Sequence, residues 1–378
     1  MRAIAGLLAV LGSTAWGARA ARADEPPAPA VLALVDRANA GAAPVTLARF
    51  APDGARHDVL AGLPSGTYGL AVHAATGRWA LTFHQLSEGA PLVIGGAEVS
   101  RPDDRATLVL GDGDRVVATT LGDPACTSAR VVCFERPVRF SPDGSYVFVE
   151  SEAPRWISWG RWSFGARPAR AAIADRRTAV ALAVDDATGR AVYQGKGGAV
   201  FVTAWPAVTA KPRKLTAARR AALTVPLLMS AVVPTGDLLV YFRRDADQAH
   251  GVWEAWSVTT RAVVAAQPAA AEYPLPRGAI VPVPARGTAV FVDDTGFERG
   301  TLWELGAGGA TALAADVRQV LAVSGDGRFV LATRRLAPAR GNAVDNPERL
   351  IVIDTVAHAE RAIDLGAGAA VTAAGFVP

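Results

Sequence analysis

The stretch Val138 to Glu150, VRFSPDGSYVFVE, narrows most what this chain can fold into. Val138 and Phe140 flank Arg139, the period-two alternation of a strand. Ser141-Pro142-Asp143-Gly144 then supplies a turn. The proline ring pre-sets φ, the aspartate can bond local backbone, and the glycine accepts positive φ. Tyr146 to Val149 is continuously apolar and rich in β formers, the pattern of a strand covered on both faces. A hairpin of this kind is marginal alone and requires neighbouring sheets.

Weaker copies of the stretch recur. Their turn glycines fall at Gly77, Gly144, Gly189, Gly236, Gly287 and Gly327, at intervals of 67, 45, 47, 51 and 40 residues. All but the first interval match a blade of four strands. The first leaves room for an insertion carrying the disulfide, or for one more blade. A second pattern, apolar strand, polar turn, strand, follows most of the hairpins. Trp253 to Val258 with Thr259-Thr260-Arg261, and Leu350 to Asp354 with Thr355 to Ala359, are examples. These form the outer half of each blade. Val31 to Leu60 reads as the last three strands of a blade, and Ala370 to Val377 as the strand that blade lacks. The expected fold is therefore all-β: a single β-propeller over residues 31–378, closed by pairing of the N- and C-terminal strands. Seven blades is the expected count, with six and eight as alternatives. Closure removes the open sheet edges that invite aggregation.

The turn pattern resembles that of the TolB-like and WD-repeat-like β-propellers. Ser141-Pro142-Asp143-Gly144 matches it fully, and Ser324-Gly325-Asp326-Gly327 and Ala51-Pro52-Asp53-Gly54 match in part. The Gly-His and Trp-Asp pairs of true WD repeats are absent. The resemblance implies blade architecture and identifies no ligand, because function is not inherited from so widely reused a fold.

Hydrophobic residues make up 51% of the chain, which excludes global disorder. Met1 to Ala23 has the form of a secretory signal: Arg2, an apolar stretch from Ile4, and Ala21-Arg22-Ala23 before Asp24. Residues 24–30 are Pro-rich and expected to be extended. Loss of residues 1–23 removes Arg2, Arg19 and Arg22, so 39 basic residues become 36 against 35 acidic ones. A near-neutral mature chain gives no reason to expect nucleic acid as a partner. Leu223 to Phe242 is apolar, but Pro226, Pro234 and Gly236 interrupt it, so strand–turn–strand is the reading rather than a membrane span. A periplasmic or extracellular monomeric ring is expected. Cys126 and Cys133, seven positions apart, are expected to form a structural disulfide in that setting. A loop that short contributes roughly 2–3 kcal/mol in the chain-entropy picture.

Catalytic signatures are missing. His57, His73, His84, His250 and His358 show no metal-ligand spacing, and no Gly-x-Ser-x-Gly elbow, phosphate loop or dinucleotide fingerprint occurs. Some peptidases join a propeller to an α/β-hydrolase domain, for which no residues are left here. No catalytic residue, metal or cofactor is expected. Gly111-Asp112-Gly113-Asp114 lacks the later ligands of a calcium loop and reads as a hairpin turn; Asp185-Asp186 and Asp293-Asp294 read as strand ends. Lys211 to Arg220, KPRKLTAARR, reads as a solvated connection.

The most distinctive local feature is Arg155-Trp156-Ile157-Ser158-Trp159-Gly160-Arg161-Trp162. Arg155, Trp156, Trp159, Arg161 and Trp162 are the candidate binding surface for a protein, peptide or glycan. The competing reading, favoured by similar placement of Trp253, Trp256 and Trp303, is that these rings fill gaps between blades. Three functions follow: an exported, non-catalytic propeller that binds a partner through loops at one end of the ring; a propeller lyase or hydrolase whose site gathers residues from several blades at the channel mouth; or a purely structural member of a surface assembly.

Overall fold

A computed structural model describes residues 28–378 except 38–44, 64–66, 85–91, 95–96, 100–106, 122–133, 154–155, 173–180, 186–187, 195–197, 205–220, 225–231, 245–249, 271–278, 295–298, 336–347 and 367. The expected signal segment, both cysteines, Arg155 and the basic run at 211–220 lie outside the described residues.

Seven four-stranded antiparallel sheets form the blades of a ring. Blade 1 is built from both ends of the chain. Ala369–Val377 is its innermost strand, followed outward by Ala30–Arg37, Val45–Phe50 and Arg56–Leu63. Ala30 pairs with Val377 and Arg37 with Ala369, so the expected closure is present. Blades 2 to 7 span residues 67–121, 134–172, 181–224, 233–268, 281–317 and 319–363.

The first strand of each is innermost, and these strands contact one another around the ring. Thr67–His73 touches both Ala369–Val377 and Phe134–Phe140. Ala181–Asp185, Val233–Thr235, Val281–Val283, Gln319–Val323 and Ala369–Val377 follow in turn. Arg139 Nη1, donating to the Val184 carbonyl at 3.0 Å, joins blade 3 to blade 4.

The long first glycine interval holds no eighth blade. It holds an insertion in blade 2, where Leu92–Ile94 and Ala97–Val99 form a separate two-stranded sheet between the second and third strands. Leu92–Ile94 is thus part of that hairpin and not of a blade.

The core is divided among the seams between blades. Blade 7 meets blade 1 through Leu331, Leu350, Val352, Val35, Phe50, Val371 and Phe376. Blade 1 meets blade 2 through Leu34, Leu47, Trp79, Leu81 and Val377. Alternate residues of a strand therefore serve different seams, and a strand apolar at every position is the result.

Two alternating directions along each blade define two ends of the ring. At the turn end lie the connections from first to second and from third to fourth strand. At the loop end lie those from second to third strand and from one blade to the next.

The six repeat glycines all adopt positive φ, between 57° and 77°, at the first turn of their blades. At the best-matched turn, the Ser141 hydroxyl donates to Asp143 Oδ1 at 2.6 Å, and Ser145 N donates to the same oxygen at 3.0 Å. Bonding from Ser141, then from the Ser145 backbone and hydroxyl, holds the Asp143 carboxyl down at about 2, below its ordinary 3.8. A depressed carboxyl stabilises the fold above its unfolded value and loses that contribution as pH falls through its folded value. Asp143→Asn is therefore expected to remove part of the loss of stability between pH 4 and pH 2, read from urea titrations at each pH. An unchanged pH profile would contradict the assignment.

Arginine follows the turn glycine in three blades. Arg78 Nη1 donates to the Gly144 carbonyl and Arg190 Nη1 to the Gly236 carbonyl, each at 2.9 Å and each reaching the turn glycine of the next blade. Arg328 has no such target, because blade 1 joins its first two strands from opposite ends of the chain. It turns instead to Asp354 of its own blade at 2.6 Å. The outer edges are managed differently: the outermost strand pairs of blades 1, 2, 5 and 6 carry register shifts. Such bulges twist an edge away from further pairing.

Candidate functional site

The two ends of the ring differ. At the turn end, Gly144, Gly189, Gly236 and their equivalents close tight hairpins. The long exception is the connection from Ala204 to Leu223, which carries the basic run. The loop end bears the connections His84 to Thr107, Leu121 to Phe134, Pro268 to Val281 and Arg335 to Glu348. The first contains the inserted hairpin and the second contains Cys126 and Cys133.

Polar residues at the turn-end tips of the inner strands are the natural candidates for a site at the channel mouth. Each is engaged with the next blade. His73 Nε2 lies 3.1 Å from the Pro142 carbonyl and Nδ1 lies 2.7 Å from the Thr76 hydroxyl. The carbonyl only accepts, so Nε2 carries the proton and Nδ1 accepts from Thr76. Asp185 is buried and accepts from the Thr188 hydroxyl at 2.7 Å and from Gly236 N at 3.0 Å. The Thr235 hydroxyl donates to the Thr288 carbonyl at 2.8 Å. Arg139 rests over the Phe148 ring, its guanidinium lowered to about 10 by burial while Asp185 opposes the shift. These groups tie blades together and are not offered to a substrate.

A second set of charges lies in the seams, from mid-height toward the loop end. Glu150, Glu254, Asp293 and Glu348 are all buried carboxylates in second or third strands. A buried carboxylate requires donors, and each has at least one. Trp159 Nε1 donates to Glu150 Oε2 at 2.8 Å. Arg243 Nη2 donates to Glu254 Oε1 at 2.8 Å, and the Tyr241 hydroxyl bonds to the same side chain. Burial and then Glu254 push the Tyr241 phenol well up. Trp253 Nε1 reaches Asp293 Oδ1 at 3.3 Å across the seam, and Ala270 N reaches Oδ2 at 2.9 Å. Arg318 pairs with Glu348. Asp293 is read in the sequence as a strand end, whereas Glu150, Glu254 and Glu348 escaped that reading, although an acid closing an apolar run, as in Tyr146 to Glu150, was a visible signal.

The tryptophan-rich strand is resolved into its members. Trp156–Ser163 is the third strand of blade 3. Trp159 is fully buried and bonded to Glu150, and Trp162 is buried in the seam with blade 2 beside Phe140, Val147 and Leu110. Both fill gaps between blades, so a partner at the surface does not reach them. The guanidinium of Arg161 lies 4.5 Å from the centroid of the Tyr146 ring. Trp156 stands at the loop end of the strand, next to the position of Arg155. Replacing Trp159 by Phe removes an N–H from a buried carboxylate, and a loss of about 2 kcal/mol is expected in denaturant titrations. A change within error would show that Glu150 is satisfied without it.

Gly111 to Asp114 is a hairpin turn, as expected: Gly113 has φ of 56°, and Asp114 faces Arg49 and His57 of blade 1 at 3.9 and 3.6 Å. Among the described residues, no group of three or more His, Cys, Asp or Glu side chains could hold a metal ion. No helix among them is long and apolar enough to cross a membrane.

No family model matches this chain, and no curated protein matches it. Solved structures do. A prolyl endopeptidase superposes with a TM-score of 0.53 at 10% identity, over 92% of this chain and 50% of that one. The chain thus spans about half the length of that peptidase. The periplasmic gluconolactonase PpgL of Pseudomonas aeruginosa gives 0.49 at 15% identity, covering 93% of this chain and 99% of that one. TolB of Acinetobacter baumannii gives 0.30 at 13% identity over 62% of each chain. At these identities the likeness is one of fold.

Proposed function

We propose that this chain is an exported binding protein that engages a protein, peptide or glycan through the loop end of its ring. The observation that carries the reading is the inequality of the two ends. Tight, internally bonded hairpins close most of one end, and long connections with an inserted hairpin crown the other. Binding residues are disproportionately placed on such loops over a rigid scaffold. Trp156 begins its strand at this end, and with Arg155, which precedes it in sequence, it is the part of the tryptophan-rich stretch that we assign to contact. Cys126 and Cys133 lie in the connection from Leu121 to Phe134, where a disulfide would stiffen the binding face in an oxidising compartment. The signal-like segment Met1 to Ala23 supports a periplasmic or extracellular location.

Photo-crosslinking in the native cell tests the proposal. A photoreactive residue at His250 or Arg299 samples the loop end, and one at Thr260 or Ala357 samples the turn end. Discrete adducts from the loop end alone are expected. Adducts from the turn end alone, or substrate turnover by the purified chain, would overturn the proposal.

A further inference from the structure

Asp-Gly pairs occur at Asp53, Asp112, Asp143 and Asp326, each in a hairpin turn at the turn end of the ring. The glycines that follow them, Gly54, Gly113, Gly144 and Gly327, all have positive φ, from 56° to 90°. A glycine nitrogen beside an aspartate is unhindered, because glycine carries no Cβ to shield it. It can attack Cγ of that aspartate and close a five-membered imide. Two contacts oppose the attack: a hydrogen bond that fixes the carboxylate, and one that occupies the glycine N–H.

Three of the turns have both. Asp53 Oδ1 accepts from Ala55 N at 2.9 Å, and Asp143 Oδ1 from Ser145 N and Asp326 Oδ1 from Arg328 N, each at 3.0 Å. An aspartate bonded to backbone two residues on is fixed within its turn. The hydroxyls of Ser141 and Ser324 add a second bond to Asp143 and Asp326. The amides of Gly54, Gly144 and Gly327 donate to the carbonyls of Ala51, Ser141 and Ser324 at 2.9, 2.8 and 2.8 Å.

Asp112 and Gly113 lack this protection. The Asp112 side chain is 51% exposed, and its ion-pair partner, Arg78 Nε, stands 3.5 Å from Oδ2. Among the described residues no backbone N–H or hydroxyl holds its carboxylate. Gly113 N reaches the Gly77 carbonyl at 3.3 Å, the longest of the four glycine bonds. Nothing lies within 4 Å of the place a Cβ on Gly113 would take, so the turn has room to move.

We infer that Asp112–Gly113 is a site of spontaneous isomerisation to isoaspartate, and that the other three Asp-Gly turns are protected from it. The Gly113 nitrogen bonds to Asp112 Cγ. One carboxylate oxygen leaves as water, taking the amide proton and one proton from solvent. Water then opens the imide. Addition at Cγ restores aspartate. Addition at the main-chain carbonyl of residue 112 leaves Gly113 joined through Cγ, with one extra carbon in the backbone. The effect falls on the seam between blades 1 and 2. The Gly113 carbonyl accepts from Trp79 Nε1 at 2.8 Å, and Asp114 faces Arg49 and His57 of blade 1. This chemistry lies at the turn end and does not depend on the partner proposed for the loop end.

Peptide mapping of the purified full chain, incubated warm at neutral pH, tests the inference. Isoaspartate separates from aspartate at unchanged mass, and the imide is lighter by one water. Conversion at Asp112 is expected to run about tenfold or more faster than at Asp53, Asp143 or Asp326, each of which must first break a hydrogen bond to a charged group. In urea, where the turns are lost, the four rates are expected to converge. Ser324→Ala is expected to raise the rate at Asp326. Equal rates in the folded chain, or the same ranking in urea, overturn the inference. So does a rate at Asp326 that Ser324→Ala leaves unchanged. The comparison of the four sites within the unaltered chain decides the matter even if the variant fails to fold.

Discussion

Deletion of residues 369–377 is expected to abolish cooperative folding. That strand is the innermost of blade 1, and Ala369, Val371, Phe376 and Val377 on it are buried. Its two faces complete two seams: Val371 and Phe376 pack toward blade 7, and Val377 packs toward blade 2. Burial of a Val or Phe side chain contributes roughly 1.5–3 kcal/mol, so these three alone represent about 5–9 kcal/mol. That is comparable with the whole stability of a typical domain, about 5–15 kcal/mol. The deletion also bares the edge of Ala30–Arg37, a strand buried along nearly its full length. Thermal melts by circular dichroism are expected to lose their sigmoidal transition, and gel filtration to show association. A truncated chain that melts sharply within a few degrees of the full one would show that blade 1 is not needed for the rest.

The second large effect is expected at Gly111. This glycine lies opposite Trp79 across the second and third strands of blade 2. A Cβ there would stand 2.0 Å from Cε2 and Cζ2 of the indole. The ring has little freedom to withdraw, because it is fully buried and its Nε1 donates to the Gly113 carbonyl at 2.8 Å. Gly111→Ala is expected to cost about 3 kcal/mol, the upper part of the range for an overpacked core. Gly189→Ala, at φ of 62° with open space around it, is expected to cost only the left-handed backbone penalty of about 1–2 kcal/mol. Urea titrations followed by tryptophan fluorescence compare the two. Combining Gly111→Ala with Trp79→Leu is expected to recover part of the loss; if the two costs simply add, the clash is not the cause.

Much of this architecture was legible because it is written in local chemistry. Gly77, Gly144, Gly189, Gly236, Gly287 and Gly327 mark turns that require positive φ, and their spacing counts the blades. The runs at 31–35 and 370–377 showed that the two ends of the chain share a sheet, since neither forms a complete blade alone. The insertion in blade 2 was legible only as an interval too long for one blade. The seam chemistry was not legible. Period-two alternation shows that Phe148 and Glu150 share a face, but not which blade that face meets. Nor does the residue after a turn glycine reveal its acceptor: Arg78 and Gly144 are 66 residues apart, and nothing local links them. The tryptophans of 156–162 show the same limit. Their spacing was visible, but burial of Trp159 and Trp162 depends on the neighbouring blades, which lie far away in sequence.

The shared blade also sets an order of events. A chain that emerges from its N-terminus, from a ribosome or through a membrane, presents residues 30–63 as three strands of an unfinished sheet. The apolar inner edge of that sheet has its partner only when residues 369–377 arrive. Blades 2 to 7 can each form as their residues appear, since each is continuous in sequence. The circle cannot close until the last strand is delivered. Completion of the fold therefore waits on residues 369–377, and a chain that lacks them is left open for holding factors or proteases to recognise.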